Sequence, residues 1–349
     1  MMKVKKNSQE IPLILRVEKR MSNWLVAVLL TGLVASEPLV ARQETVYMAV
    51  LNSRRHRIGA LDNPTVGLFV STDAGASWQH KGWTGYIRTF YTEVGSNGTI
   101  WSACGNGVLR STDNGKTWRI TTGGDVTEVL KVKVSPSSPK TVYAATAYGV
   151  FKSTDLGTTW RQRNKGFGKP FVADLLIDRS NEKRVFAATE EGVFISLNGG
   201  DQWRLAGLKG KGIRFIAQDP GNTARLLVGT EEDGINISED GGKTWYPSNT
   251  GLRHLTVYVI AMDPLAPAKI YLGTHGGGVY RSDDGGKSWT QKSEGLQNPD
   301  VHALSVIPSR SNTILAGTLN GGLYRSVDGG ETWRFNSQEE AQVWGLSVR

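Results

Sequence analysis

An eight-residue pattern, Ser-x-Asp/Asn-x-Gly-x-x-Trp, recurs seven times along this chain. It reads STDAGASW at Ser71–Trp78, STDNGKTW at Ser111–Trp118, STDLGTTW at Ser153–Trp160 and SLNGGDQW at Ser196–Trp203. It continues as SEDGGKTW at Ser238–Trp245, SDDGGKSW at Ser282–Trp289 and SVDGGETW at Ser326–Trp333. Successive tryptophans lie 40, 42, 43, 42, 44 and 44 residues apart. A near-constant period over most of a chain means one supersecondary unit used repeatedly, which removes most fold classes from consideration before any element is assigned.

The content of one period identifies the unit. In Val301–Trp333, "VHALSVIP" alternates apolar and polar residues, "SRSN" is turn-like, "TILAGT" is a second apolar run, "LNGG" turns again and "GLYRS" is a third run. The octet supplies the next turn and "TWRF" opens a fourth run. Short alternating runs bounded by Gly, Pro, Asn and Asp are antiparallel strands joined by tight turns. Four strands in 40 to 45 residues is a propeller blade, so the expected fold is all-β, a seven-bladed β-propeller of four-stranded antiparallel blades over residues 42–349. The first period starts at "TVYMAV", Thr45–Val50, without the strand that opens every other unit, while the chain finishes on "VWGLSVR", Val343–Arg349. The C-terminal strand is therefore expected to complete blade 1, removing two open sheet edges together.

Within the octet each residue type has a turn role. Asp73, Asp113, Asp155, Asn198, Asp240, Asp284 and Asp328 stand where a side-chain oxygen can accept backbone N–H groups of its own turn. The glycine takes a conformation closed to other residues, and the tryptophan fills space between blades. A calcium loop needs six or more oxygens from about twelve residues, which an octet closed by Trp does not supply, so the expectation is no metal and no cofactor. The pattern resembles the Asp-box, or BNR repeat, in which the box forms the turn between the third and fourth strands of a propeller blade. Several families with such boxes are similar to this chain in part. Sialidases carry fewer boxes and use an arginine triad with a Tyr/Glu pair and an Asp; xyloglucan-cleaving hydrolases use two propellers and paired Asp residues. Sortilin-type receptors have a larger propeller and cysteine-rich modules. By blade count, length and scarcity of cysteine the chain is most similar to the photosystem II stability and assembly factors and their non-photosynthetic relatives, which implies an exported scaffold without catalytic chemistry.

The formal charge of +9 over 349 residues is partly an N-terminal matter. Lys3, Lys5, Lys6, Arg16, Lys19 and Arg20 outnumber Glu10 and Glu18 there, leaving about +5 for the remainder, a weak argument for nucleic acid. The apolar run Trp24–Ala35 and the small residues after it read as a signal peptide or N-terminal anchor over residues 1–41, with Met21 an alternative start. The expectation is export to the periplasm or outside the cell, membrane contact only through an uncleaved N-terminal segment, and a monomer. Cys104 is the sole cysteine, so no internal disulfide forms, and it reads as a small apolar strand residue.

With the boxes on one face, function is expected on the other. Aligning the opening strands on Val-x-x-Leu gives one residue per blade at the channel mouth: Arg88, Glu128, Ala173, Arg214, Tyr258, His302 and Trp344, from blade 2 round to blade 1. Packing alone would repeat one residue type, whereas six of these are polar, charged or aromatic. Blade 1 also carries a long insertion, "NSRRHRIGALDNPTV", which brings Arg54, Arg55, His56 and Arg57 to that face. Glu190, Glu191, Glu231, Glu232 and Asp233 stand opposite, in the matching turns of blades 4 and 5. Such a dipolar rim suits a charged protein partner. A glycan is the alternative ligand. Arg88, Arg214 and an arginine of the insertion could imitate a carboxylate-binding triad beside Tyr258 and Glu128, and Glu128 with Asp174 could form the carboxylate pair of a glycoside hydrolase. The sialidase Arg-Ile-Pro signature is absent. A protein-binding, non-catalytic propeller is the preferred reading, and glycoside hydrolysis at the same face the alternative.

Overall fold

Each repeat period folds into one four-stranded antiparallel sheet, and seven such sheets make up the propeller. The computed structural model describes residues 44–55, 65–83 and 87–349, all within one compact unit, Glu44–Arg349. No helix occurs among the described residues. The expected leader over 1–41, and with it His56 and Arg57, lies outside the described residues.

The innermost strands, in ring order from blade 2, are Thr89–Val94, Val129–Val134, Val172–Ile177, Ile213–Gln218, Val257–Met262 and Val301–Ile307. The seventh, Ala341–Val348, belongs to blade 1 and pairs antiparallel with Val46–Ser53, from Val46 opposite Val348 to Ser53 opposite Ala341. Beyond it Thr45 and Arg349 exchange two backbone hydrogen bonds, of 2.9 and 3.0 Å. The ring closes through the C-terminal strand, as the strand count requires.

Second strands such as Val185–Thr189 and Ile270–Thr274 are buried at every residue, because both sheet faces meet a neighbouring blade. They therefore read as continuous apolar runs rather than alternating ones. Most end in a threonine whose hydroxyl donates to a carbonyl across the next turn, as from Thr230 to Gly234 at 2.9 Å and from Thr318 to Gly322 at 2.9 Å. The residue before that threonine is always small. At Gly229, Gly273 and Gly317 a Cβ would come within 2.4–2.7 Å of the valine or carbonyl of the following blade's inner strand. The small side chain sets how closely successive blades approach.

The octets form the turns between third and fourth strands. In the first, Ser71 donates to Asp73 Oδ1 at 2.7 Å and accepts from Gly75 N at 2.9 Å. Asp73 then takes Ser77 N on Oδ1 at 2.9 Å and the Ser77 hydroxyl on Oδ2 at 2.6 Å. Six octets repeat that last bond, from Thr117, Thr159, Thr244, Ser288 and Thr332 as well. The fourth has Gln202 in place of the hydroxyl residue, and there Asn198 uses one oxygen for Ser196 at 2.8 Å and Gln202 N at 3.0 Å. A second acceptor oxygen is needed only where a second donor exists, which explains why the amide is tolerated at this site alone. Residues four and five of each octet are left-handed: Gly285 and Gly286 have φ of 75° and 86°, and Ala74, Asn114 and Leu156 accept φ of 58–59° in the first three.

Each tryptophan then turns back to the preceding blade. The indole N–H groups of Trp118, Trp203, Trp289 and Trp333 reach carbonyls just after the previous outer strand, each at 2.8 Å, and Trp78 reaches Asn336 of blade 7 at 2.8 Å. Burial of an indole contributes roughly 3–5 kcal/mol. Backbone bonds join the octets to the turns between first and second strands, as from Gly199 to Lys183 at 2.8 Å and from Gly285 to Ala268 at 2.8 Å. These turns form one face of the ring and leave the opposite face to the channel mouth.

Candidate functional site

A β-bulge near the start of every innermost strand builds the channel mouth. Register shifts between Val172 and Asp174, Ile213 and Phe215, Val257 and Val259, and Val301 and Ala303 leave Ala173, Arg214, Tyr258 and His302 as the bulged residues. Trp344 has the same place between Val343 and Gly345. Bulges re-aim a side chain out of the sheet's alternation, and here they turn one residue per blade toward the axis.

In blades 2 and 3 the bulged residues are Phe90 and Leu130, not Arg88 and Glu128. The expected column is therefore displaced by two residues at these positions. Blade 2 opens on Thr89 and Thr92 instead of valine and leucine; both are buried, and Thr92 shares a 2.9 Å hydrogen bond with Ser102. In blade 3, Thr-Glu-Val-Leu and Val-Leu-Lys-Val overlap, and the second is the strand. Arg88 and Glu128 are exposed, flanking one turn of blade 2: Gly105 N donates to Arg88 O at 3.1 Å and Glu128 N to Gly105 O at 2.8 Å.

The seven bulged residues line a cavity of about 420 Å³, together with the residues that follow several of them. An aromatic arc covers one side. Phe90 meets Trp344 edge-on at 5.7 Å, Trp344 lies 4.6 Å from His302, and His302 stacks on Tyr258 with ring centroids 4.2 Å apart and planes 22° from parallel. Tyr258 touches His275 edge-on at 6.0 Å, and His275 Nδ1 lies 2.7 Å from Asp300. Burial holds the His302 imidazole down to about 4, with Asp300 opposing and His275 and Arg214 assisting, so it is neutral at pH 7. Burial likewise raises the Tyr258 phenol.

Arg214 ends the arc, its guanidinium paired with Glu231. One step further along the blade 3 strand is Lys131, its side chain 13% exposed. Its ammonium lies 4.1 Å from the Tyr91 ring centroid, 4.9 Å from that of Phe215 and 4.0 Å from Asp174 Oδ1. Burial lowers the Lys131 pKa, against the pull of Asp174. Asp174 itself is buried and tied into the backbone, accepting from Leu175 N at 2.9 Å and Ile216 N at 3.3 Å.

Part of the expected charge division of the rim is paired in place. Arg55 pairs with Glu339 and lies 4.0 Å from Glu340, while Arg54 N donates to Glu340 O at 3.2 Å. Asp233 pairs with Lys211 at 3.0 Å, and Glu191 accepts Gly168 N and Lys169 N at 3.0 and 2.7 Å. Thus Arg54 and Arg55 stay with blade 1's own closing loop, and Arg214 is joined by Glu231 of its own blade. Among the described residues no group of three or more His, Cys, Asp and Glu side chains could hold a metal ion. Sequence reasoning missed Phe90, Leu130 and Lys131. For Leu130 a signal existed: it precedes its octet serine by 23 residues, as Ala173 does, against 24 in blades 5 to 7.

A family model described as Sortilin-Vps10 (Sortilin, neurotensin receptor 3) matches residues 233–345, about a third of the chain. No curated protein matches the sequence. Among solved structures, a GH74 xyloglucanase from Xanthomonas campestris is 19% identical over 70% of this chain and 44% of its own, with a TM-score of 0.60. A Niastella koreensis GH74 enzyme is 21% identical over 73% of this chain and 45% of its own, with a TM-score of 0.58. YCF48 bound to D1 peptide is 16% identical over 75% of this chain and 92% of its own, with a TM-score of 0.56. The chain spans less than half the length of the two GH74 enzymes, and at these identities the likeness speaks for the fold alone.

Proposed function

We propose that this chain is a non-catalytic binding propeller whose channel-mouth cavity takes a segment of a partner protein. One observation carries the reading: the cavity is lined by aromatic and aliphatic side chains with Arg214 and Lys131, and no carboxylate occurs among the described residues lining it. Concave, mostly apolar sites with a few placed polar groups are what recognition needs. Hydrolysis by two carboxylates is poorly served, because both Asp174 oxygens are engaged by backbone N–H groups and Glu128 is exposed outside the lining. YCF48, a solved propeller of similar fold, is bound to a peptide. The basic and apolar N-terminal sequence supports an exported location for this encounter.

Glycoside hydrolysis at the same face is the second reading. In its favour are the aromatic arc, which offers ring faces to a sugar, and the shared fold of the GH74 enzymes.

A photo-crosslinking residue separates the two. With p-benzoyl-phenylalanine in place of Leu130 in the producing cells, covalent adducts with a partner polypeptide are expected. They should be absent when the same group replaces exposed Thr154 on the octet face. Turnover of β-glucans or sialosides by the purified chain, without adducts at position 130, defeats the binding reading.

A further inference from the structure

Among the polar groups around the cavity, donors lack acceptors. Arg214 Nε, Trp344 Nε1 and His302 Nε2 are each shut off from solvent without a hydrogen-bond partner. Guanidinium and indole nitrogens can only donate. Glu231 engages Arg214 through Nη2, which leaves Nε over. The Lys131 ammonium faces two aromatic rings, and its nearest carboxylate oxygen is 4.0 Å away. A buried donor left unpaired costs about 1–3 kcal/mol, so Arg214 Nε and Trp344 Nε1, beside the Lys131 ammonium, favour an occupant that brings acceptor oxygens.

Resting on the binding reading above, we infer that the occupant is a carboxylate carried on an apolar body, held between Arg214 and Lys131 with its apolar part against the aromatic arc. Both cations face the cavity while their carboxylate partners, Glu231 and Asp174, stand outside its lining, so an entering group meets positive charge first and an anion is favoured. A singly charged carboxylate fits better than a phosphate, because the remaining walls, among them Phe90, Leu130, Phe171, Phe215 and Leu346, are apolar and cannot rehydrate a doubly charged group. Two sources present this chemistry: the C-terminal end of a polypeptide with an apolar last residue, and a free aromatic or aliphatic acid.

Equilibrium dialysis of the full chain tests it with three probes: ten-residue peptides randomised except for a C-terminal phenylalanine, with the terminus free or amidated, and N-acetyl-phenylalanine. The free-acid peptides should bind at least tenfold more tightly than the amides. That ratio should fall below threefold in Arg214→Gln and in Lys131→Met, each shown by circular dichroism to be folded at the dialysis temperature. N-acetyl-phenylalanine binding as well as the peptides identifies a free acid as sufficient; binding by the peptides alone identifies a chain end. Equal retention of acid and amide overturns the carboxylate and leaves the peptide reading standing. Retention of no probe, with crosslinks still forming at position 130, overturns the carboxylate alone; with no crosslinks, both readings fall.

Discussion

Gly317 sits where blade 7 meets the closing strand, with no room for a methyl group. A Cβ there would lie 2.4 Å from Val343 Cγ1, 2.8 Å from Val343 Cβ and 2.9 Å from its carbonyl oxygen. The glycine is in a strand and has no positive φ, so alanine is conformationally allowed and the collision is the main effect. Overpacking of this kind costs about 1–3 kcal/mol, and the upper half applies because one colliding atom is backbone. For a cooperative unit of about 300 residues, each kcal/mol moves the melting temperature by roughly 1.5 °C, giving a fall of about 3–4 °C. Val343 is fully buried, and Val343→Ala alone should cost about 1.5–2.5 kcal/mol. In the double variant the shortest contact is gone, so the combined loss should undershoot the sum by about 1 kcal/mol or more. Urea unfolding at 25 °C, followed by tryptophan fluorescence, measures all three. A neutral Gly317→Ala, or effects that add within about 0.5 kcal/mol, refutes the close-approach account.

Removing residues 343–349 should lower the melting temperature by more than 10 °C or prevent folding, since Val343 and Leu346 are buried and two sheet edges reopen; an unchanged value rules out closure by this strand. Asp73, Asp113, Asp155 and Asp328 are held at about 2, below the usual carboxylate range. For Asp113 and Asp155 the first cause is the hydrogen bonding of Thr117 and Thr159; for Asp73 and Asp328 burial pushes upward and turn hydrogen bonds outweigh it. Their contribution is fully present above the unfolded value near pH 4 and is lost as pH falls toward 2, so urea midpoints should drop across that window. Thr117→Val should raise the Asp113 pKa in a carboxyl carbon-13 titration; no movement contradicts the hydroxyl's role. His302 has the opposite charge logic: the unfolded imidazole takes a proton near pH 6.5 and the folded one near 4, so stability is lost as pH falls between them. His302→Phe should flatten that segment of the profile.

The architecture was legible because every structural demand of a blade is local and recurs. Octet turn, small residue before the threonine and apolar second strand each repeat within one period, so seven copies correct the noise of any one. The mouth was legible only where its blade kept the common frame. Tyr258, His302 and Trp344 appear in ring order in the sequence, and the structure stacks Tyr258 on His302 and tilts Trp344 against it. Blade 2 lost its register because buried Thr89 and Thr92 replaced the apolar pair, and because five residues, 95–99, join its first two strands where blade 4 uses seven, 178–184. The ion pairs of the rim were not legible for another reason. Arg55 meets Glu339 and Arg214 meets Glu231 through the closing loop and one blade's own turn, pairings that depend on backbone paths no residue spacing encodes.

Sealing blade 1 from both ends of the propeller has a kinetic consequence. Val46–Ser53 and Ala341–Val348 are separated by nearly the whole unit, so their pairing has the longest loop to close and raises the contact order of the fold. Six blades can assemble from neighbouring sequence while the seam still stands open. Where such a contact forms after the transition state it acts chiefly on the rate of opening, so Val343→Ala should speed unfolding more than it slows folding, and the seam would then be the latch that sets how long the ring lasts once formed.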